Sequence, residues 1–170
     1  MANIYAYVDT CVMADIIISL DASNDLNPVA GTFLLPEMLP ILNKIKENER
    51  FSKVVTSAFT FVELINKFSD IFKNTEVTIQ KLYALMKQPP EWLVIEPLNE
   101  LTEKSYCDVP TKVEGENVSM DDAIHIATAL QRNDEIVFLT TDHILRKIEL
   151  PNLTHSLTSP LAKFVRTGTS

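Results

Sequence analysis

The apolar and polar positions change period repeatedly along the chain, and each change marks an element. "NIYAYV" (3–8) is a short, nearly continuous apolar run, the pattern of a buried strand. "TCVMADIIISL" (10–20) follows as a helix, with Thr10 placed to cap it. "DASNDLNPVAGT" is polar and marked by Pro and Gly, which predicts a loop. "PEMLPILNKIKENE" (36–49) sets Leu39, Leu42 and Ile45 at helical spacing. "KVVTS" (53–57) reads as a strand. "AFTFVELINKFSDIF" (58–72) reads as a helix with an apolar stripe of Phe61, Ile65, Phe68 and Phe72. "VTIQKLYALMKQ" (77–88) is a helix stopped by Pro89 and Pro90, which lack the backbone N–H a helix needs. "WLVIEP" (92–97) is a strand, "NELTEKSYCD" (99–108) a helix and "VPTKVEGENV" (109–118) a loop. The helix "SMDDAIHIATAL" (119–130), the strand "EIVFLTT" (135–141) and the short helix "HILRKIEL" (143–150) follow. "LTHSL" (153–157) predicts a last strand and "SPLAKFV" (159–165) a closing helical turn.

Strands alternating with helices predict an α/β fold: one three-layer α/β/α domain over 1–170, with a central, mostly parallel sheet of four to five strands. No repeat, low-complexity tract or linker divides the chain, and 170 residues suffice for one core without calling for two. In open sheets of this kind, sites form outside the carboxyl ends of the strands.

Composition narrows the chemistry. With 46% apolar and 22% charged residues the chain is globular rather than disordered, and its 3 glycines argue against a Gly-rich phosphate loop. The net charge of −8 has the wrong sign for a bulk electrostatic grip on nucleic acid. That acidity is local: residues 91–122 hold nine acids against Lys104 and Lys112, a net −7, whereas residues 143–170 hold four bases against Glu149, a net +3. Cys11 and Cys107 have no metal-ligand spacing and point to a reducing compartment. The start lacks the pattern of a leader peptide, and "IIISL" is too short to span a bilayer, so a cytoplasmic location without membrane contact is expected.

Four acids fall on one side of the expected sheet. Asp9 directly follows the first strand, and Asp142 follows "EIVFLTT". Asp122 lies in the first turn of its helix, and Glu63 lies about a turn into the helix after "KVVTS". Carboxylates held close repel one another. A hard divalent cation with oxygen ligands, Mg²⁺ or Mn²⁺, is the simplest counterweight, and no histidine or thiolate cluster competes for a softer metal. Carboxylate-bound ions of this type activate water for phosphodiester hydrolysis.

"YVDTCV", "TSAFTFVELIN", "MDDAIHIATAL" and "FLTTDHIL", in that order, resemble the four acidic motifs of PIN domains, nearest to single-domain ribonucleases that include VapC-like toxins of toxin–antitoxin pairs. The resemblance runs from residue 4 to about the end of the chain. Its most specific piece is an acid followed by Ala-x-x-x-Ala-x-Ala, here Asp122, Ala123, Ala127 and Ala129. It implies metal ligation and catalysis by Asp9, Glu63, Asp122 and Asp142. Thr140 would support the first aspartate by hydrogen bonding, and Thr10 matches the small polar residue beside it. The implied activity is Mg²⁺- or Mn²⁺-dependent cleavage of RNA by a metal-activated water. The implied partners are an RNA substrate, a small antitoxin covering the cleft, and a second copy in a homodimer.

Each acid also has a plain structural role. Asp9 could simply precede a helix, favoured by its dipole. Asp142 could cap "HILRKIEL", and Ser119 with Asp122 resembles a capping box. Glu63 is harder to explain so, because it sits amid "FTFVELI", where an uncompensated charge is costly. Asp121 is about 100° from Asp122 around the helix and is expected at the rim as a supporting residue. His125, one turn from Asp122, is expected as a partly buried helix residue with a satisfied ring. His143 reads as incidental, Trp92 as core or subunit interface, and Lys44, Lys46, Arg50 and Lys53 as a solvated face.

Other function classes fit less well. A PIN-like module that binds RNA or protein without cleavage would keep the fold, and the intact set of four acids argues against it. A phosphoryl-accepting receiver domain needs an acidic pair after strand one, where "YVDTCV" offers one acid. A haloacid-type phosphatase needs D-x-D there, and position 11 is Cys.

Overall fold

The computed structural model describes residues 4–20, 51–71, 75–132, 135–140, 142, 144–148, 153–154 and 162–166. In chain order the elements are β1 (Ile4–Val8), α1 (Thr10–Leu20), β2 (Phe51–Ser57), α2 (Ala58–Ile71), α3 (Thr75–Lys87) and β3 (Leu93–Glu96). Then come α4 (Glu100–Tyr106), β4 (Lys112–Val113), β5 (Glu116–Asn117), α5 (Met120–Leu130), β6 (Glu135–Leu139), a 3-10 turn (Leu145–Lys147), β7 (Leu153–Thr154) and β8 (Ala162–Arg166). The main sheet has the order β3-β2-β1-β6-β8-β7. β3, β2, β1 and β6 run parallel, β8 pairs antiparallel with β6, and β7 pairs antiparallel with β8. The sheet is mostly parallel, as the sequence predicts; its parallel part has four strands, and two antiparallel strands extend it to six, beyond the four to five expected.

Side chains alternate across β1 because successive residues of a strand point to opposite faces. Ala6 and Val8 join Val12, Met13, Ile16, Val54, Phe61, Leu64, Leu82, Leu93 and Leu139 in one core, packed under α1, α2 and α3. Tyr7 faces the other way and joins Val55, Ile126, Ala129, Ile136, Phe138, Leu145 and Ile148, packed under α5. Both faces of the parallel strands are therefore covered, which is why those strands read as apolar runs rather than alternating ones. Each fully buried Phe, Leu or Ile here contributes roughly 1.5–3 kcal/mol relative to exposure. Trp92 packs against the first core. No helix among the described residues is long and apolar enough to cross a membrane.

The structure departs from the expected elements near the carboxyl end. Residues 162–166, expected within a closing helical turn, form β8, with Val137 opposite Val165 and Phe138 opposite Phe164. A five-residue segment gains little as an isolated helix, whereas β6 offers it a complete row of backbone partners. The helix expected over 143–150 shortens to the 3-10 turn, because Ile148 already adopts extended dihedrals (φ −68°, ψ 124°). The expected loop 109–118 contains the β4–β5 hairpin. Glu114 (φ 49°) and Gly115 (φ 85°) supply the two positive φ values that a tight two-residue turn requires. Val109, Val113 and Val118 pack against the second core, and Lys147 Nζ donates to Glu114 Oε2 at 2.7 Å. The loop expected at 21–32, the helix at 36–49 and the side chains of Phe68 and Phe72 lie outside the described residues.

A polar network anchors the far end of α5. Glu96, ending β3, accepts from Arg132, and its other oxygen accepts from Gln131 Nε2 at 3.1 Å. Gln131 in turn accepts from Thr102 on α4, and the Arg132 guanidinium lies 4.4 Å from the centroid of the Tyr5 ring. α4 is held by a reciprocal cap: the Asn99 side chain accepts from Leu101 N at 2.9 Å, and Asn99 N donates to Thr102 Oγ1 at 3.1 Å. One carboxylate thus joins a strand, two helices and, through Arg132, the central strand. Glu96→Ala should lower stability by about 1.5–3 kcal/mol, the usual cost of losing hydrogen bonds to charged groups. Urea denaturation checks this, and a change under about 0.5 kcal/mol would show that the network is only a surface feature.

Candidate active site

The carboxyl ends of β1, β2 and β6 and the first turn of α5 place the four acids. Asp9, 5% exposed, follows β1 and caps α1, its Oδ1 accepting from Val12 N at 3.1 Å. Thr10, expected as that cap, is instead the first helical residue, because the aspartate directly before it already fills the position. The Thr140 hydroxyl, just past β6, donates to Asp9 Oδ2, so both oxygens of Asp9 are held. Asp142 Oδ1 accepts from Ile144 N at 2.7 Å and Leu145 N at 2.9 Å, and its own N–H donates to Thr140 Oγ1 at 3.0 Å. Asp142 therefore holds the two amides that lead into the 3-10 turn, although the cap position itself is Ile144.

Glu63, 7% exposed on α2, is held by three groups. Its Oε2 accepts from the Thr10 hydroxyl and from His125 Nε2 at 2.7 Å, and Lys67 Nζ lies 3.7 Å from Oε1. His125 Nδ1 meets the Tyr7 hydroxyl at 2.9 Å, and both rings are buried. Asp122 is half-buried in the first turn of α5. Its backbone N–H donates to Ser119 Oγ at 3.1 Å, so the serine caps the helix. Asp121, one position earlier, is likewise half-buried. Small residues on the inner face of α5, Ala123, Ala127 and Ala129, are buried and let this helix lie close to the sheet.

Electrostatics shows which acids share a region. Burial pushes the Asp9 carboxyl above its usual range, and the Asp122 charge adds to the rise. The Thr140 bond, His125 and the Val12 amide oppose it. Desolvation raises Asp122 as well, helped by the charges of Asp142 and Glu63 and opposed by Ser119 and His125. Burial also penalises ionised Glu63, but His125, Thr10 and Lys67 outweigh it and leave that carboxyl below its usual range. Asp122 is therefore the acid coupled to Asp9, Glu63 and Asp142 together.

All four donors are hard oxygens, and burial disfavours the ionised forms of Asp9 and Asp122. That donor chemistry fits a hard divalent cation, which would relieve the repulsion. Among the described residues no three His, Cys, Asp or Glu side chains sit close enough together to hold a metal ion. Three of the acids instead have oxygens engaged by Thr140, Val12, Thr10, His125 and the amides of residues 144 and 145.

The sequence reading gave His125 a satisfied ring, and it has one, but its partners are Glu63, Thr10 and Tyr7 at the heart of the acidic cluster. The signal was its spacing of one helical turn from Asp122. Tyr7 carried no signal beyond its strand. Lys67 could have been found from the i, i+4 spacing after Glu63. Lys44, Lys46, Arg50 and His143 lie outside the described residues, and Lys53 is half-buried.

Because burial raises the Asp122 carboxyl above its ordinary value of 3.8, the ionised form opposes folding, and that penalty grows as pH rises from 3.8 through the folded pKa. Asp122→Asn should therefore raise Tm at pH 7 in EDTA. A rise of about 1–3 °C is expected, at the solvent-screened end for a chain of this size. The gain should vanish as pH falls towards 3.8. Thermal melts across that range check it; no gain at neutral pH would mean that the acids do not repel.

A search of curated proteins finds no match to the chain. Among solved structures it is similar to the Mycobacterium tuberculosis toxin VapC20, described as cleaving the sarcin-ricin loop. Identity is 14% over 74% of this chain and 82% of that one, with a TM-score of 0.47. The family model of the PIN domain matches residues 6–150, the span that carries Asp9, Glu63, Asp122 and Asp142, and the chain therefore belongs to the PIN domain family.

Proposed function

We propose that this PIN domain is a metal-dependent endoribonuclease acting on RNA phosphodiester bonds, in the role of a toxin held by a small antitoxin. The observation that carries this reading is that Asp9, Glu63, Asp122 and Asp142, from distant positions, all follow strand ends or lie near helix starts on one side of the sheet, within the span that the PIN family model matches. Members of the family generally use divalent metals. Asp9, Glu63, Asp122 and Asp142 would hold Mg²⁺ or Mn²⁺, and when bound the ion supplies an activated water and offsets charge developing on the phosphate. The chain's own residues prepare for this. Thr140 and the Val12 amide orient both oxygens of Asp9, and Thr10 orients Glu63. Asp121 would serve at the rim. Exposed Leu98, Leu101 and Tyr106 offer apolar surface for a homodimer. The chain's cysteine usage and short apolar runs suit a cytoplasmic protein acting away from membranes.

One observation favours a second reading, a PIN-like module that binds RNA or protein without cutting. Among the described residues no three acids stand ready as a cation site, and Glu63 is engaged by His125.

Cleavage of end-labelled mixed RNA by the purified chain, with Mn²⁺ or Mg²⁺ and with EDTA, separates the two. Metal-dependent cutting is expected. Asp122→Asn should reduce it by more than the roughly 10–100-fold that losing a partner of a metal ligand costs, while the variant stays folded. Thr140→Val, which removes only the bond orienting Asp9, should cost about 10–100-fold. No cutting under any metal condition by inhibitor-free protein would establish the binding-module reading. Cutting that survives Asp122→Asn would assign the activity to a contaminant or the ligand role to Asp121.

A further inference from the structure

The four acids oppose any RNA that approaches them. A substrate phosphate is itself an anion, and the chain carries a net charge of −8. Asp9, Glu63, Asp122 and Asp142 add their own repulsion where the strand must come closest. A cation beside the cluster would hold the neighbouring backbone, and the described residues offer one.

Lys67 stands on α2, one turn past Glu63, and its Nζ lies 3.7 Å from Glu63 Oε1. That separation is too long for a hydrogen bond, so charge rather than a fixed bond draws the two together. The lysine side chain is 57% exposed, against 9% for the glutamate. Other paired cations among the described residues are committed away from the four acids. Lys147 Nζ donates to Glu114 Oε2 at 2.7 Å, and Arg132 donates to Glu96 at the far end of α5.

From Glu63 onward α2 turns an outer face to solvent. Phe61 and Leu64 are buried in the first core, whereas Val62, Asn66 and Lys67 are exposed. Four residues of helix set Lys67 about 6 Å beyond Glu63 along the axis, away from the carboxyl end of β2. The lysine therefore borders the cluster from outside it. Its four-carbon stem is flexible, and an ammonium on such a stem binds phosphate as a point charge. An exposed pair at i, i+4 adds little to stability, so the fold does not require Lys67 to stay on Glu63.

We propose that Lys67 receives a backbone phosphate of the RNA, the one beside the bond to be cut, so that the substrate strand leaves the acidic cluster along α2. This rests on the RNA reading above and adds to it a residue that binds substrate. It does not depend on a metal ion, and RNA affinity measured in EDTA reads it directly.

The test is the affinity of the full chain for a labelled single-stranded RNA, followed by fluorescence anisotropy in EDTA across a salt series, with Mn²⁺-dependent cleavage run alongside. Lys67→Met removes the charge and keeps the stem. Losing one phosphate contact should lower the slope of log affinity against log salt by about 0.7 and, at about 0.1 M salt, weaken binding about fivefold. In cleavage the loss should appear as a higher KM with kcat little changed, the mark of binding shared by ground and transition states. Lys67→Arg keeps the charge and should keep the native slope. Lys87→Met removes an equal charge from an exposed site in the last turn of α3, ahead of the amino end of β3, and should also behave as the native chain does. A Lys67→Met variant with native or tighter affinity and an unchanged slope would overturn the proposal and leave the lysine as a surface ion pair. Equal losses in Lys67→Met and Lys87→Met would overturn it too, because net charge rather than place would then govern. So would a Lys67→Arg as impaired as Lys67→Met. Native protein that neither binds nor cuts RNA overturns the RNA reading and this proposal with it, whereas native binding and cutting with an unaltered Lys67→Met overturns the phosphate contact alone.

Discussion

Negative charge kept out of water is the constraint on which the rest of this structure turns. Asp9 and Glu63 are almost fully buried, and Asp122 is pushed up in pKa by burial and by its acidic neighbours. Burial alone would protonate such groups or expel them. They stay because each is caught by fixed donors: a helix-start amide and a threonine for Asp9, a threonine and a histidine for Glu63, a pair of amides for Asp142. The price of gathering the acids is spread over backbone and side chains whose positions the fold already fixes.

The architecture makes those donors available in one place. Parallel strands all end on the same side, and the helices that follow begin there, so free N–H groups and acid-bearing first turns crowd one edge of the sheet. Asp9 and Asp142 use such N–H groups directly, and Ser119 relieves Asp122 of the same duty on α5. At the opposite end of α5, Glu96, Gln131, Arg132 and Thr102 tie the helix to β3 and α4. The helix carrying Asp122 and His125 is thus fastened at its far end by one polar network while it serves another at its near end.

Much of this was legible in the chain. Apolar runs gave the four parallel strands, because strands buried on both faces need no polar alternation. The positions of Asp9, Glu63, Asp122 and Asp142 relative to strand ends gave their shared location. Helical angle favours Asp122 over Asp121 as the acid turned to the other three, and the structure leaves both aspartates half-buried. What the sequence hid were partners set by tertiary packing. Tyr7 looks like any strand aromatic, and nothing local says that its hydroxyl meets a histidine 118 residues away. β8 was misread because its pairing depends on the free edge of β6 rather than on its own five residues. The hairpin at 112–117 was hidden by its length, since two-residue strands leave no period to detect.

The central place of β1 also governs timing. Its residues Ile4, Tyr5, Ala6 and Tyr7 pair on one side with β2, and all five pair on the other with β6, whose partner for Ile4 is Glu135. Closing so long a loop makes the second pairing the costlier of the two and delays it until the residues of β6 have been made. The bond from Thr140 to Asp9 waits for the same event. A chain emerging from the ribosome therefore carries Asp9 and Glu63 early but cannot assemble the acidic cluster until β6 arrives.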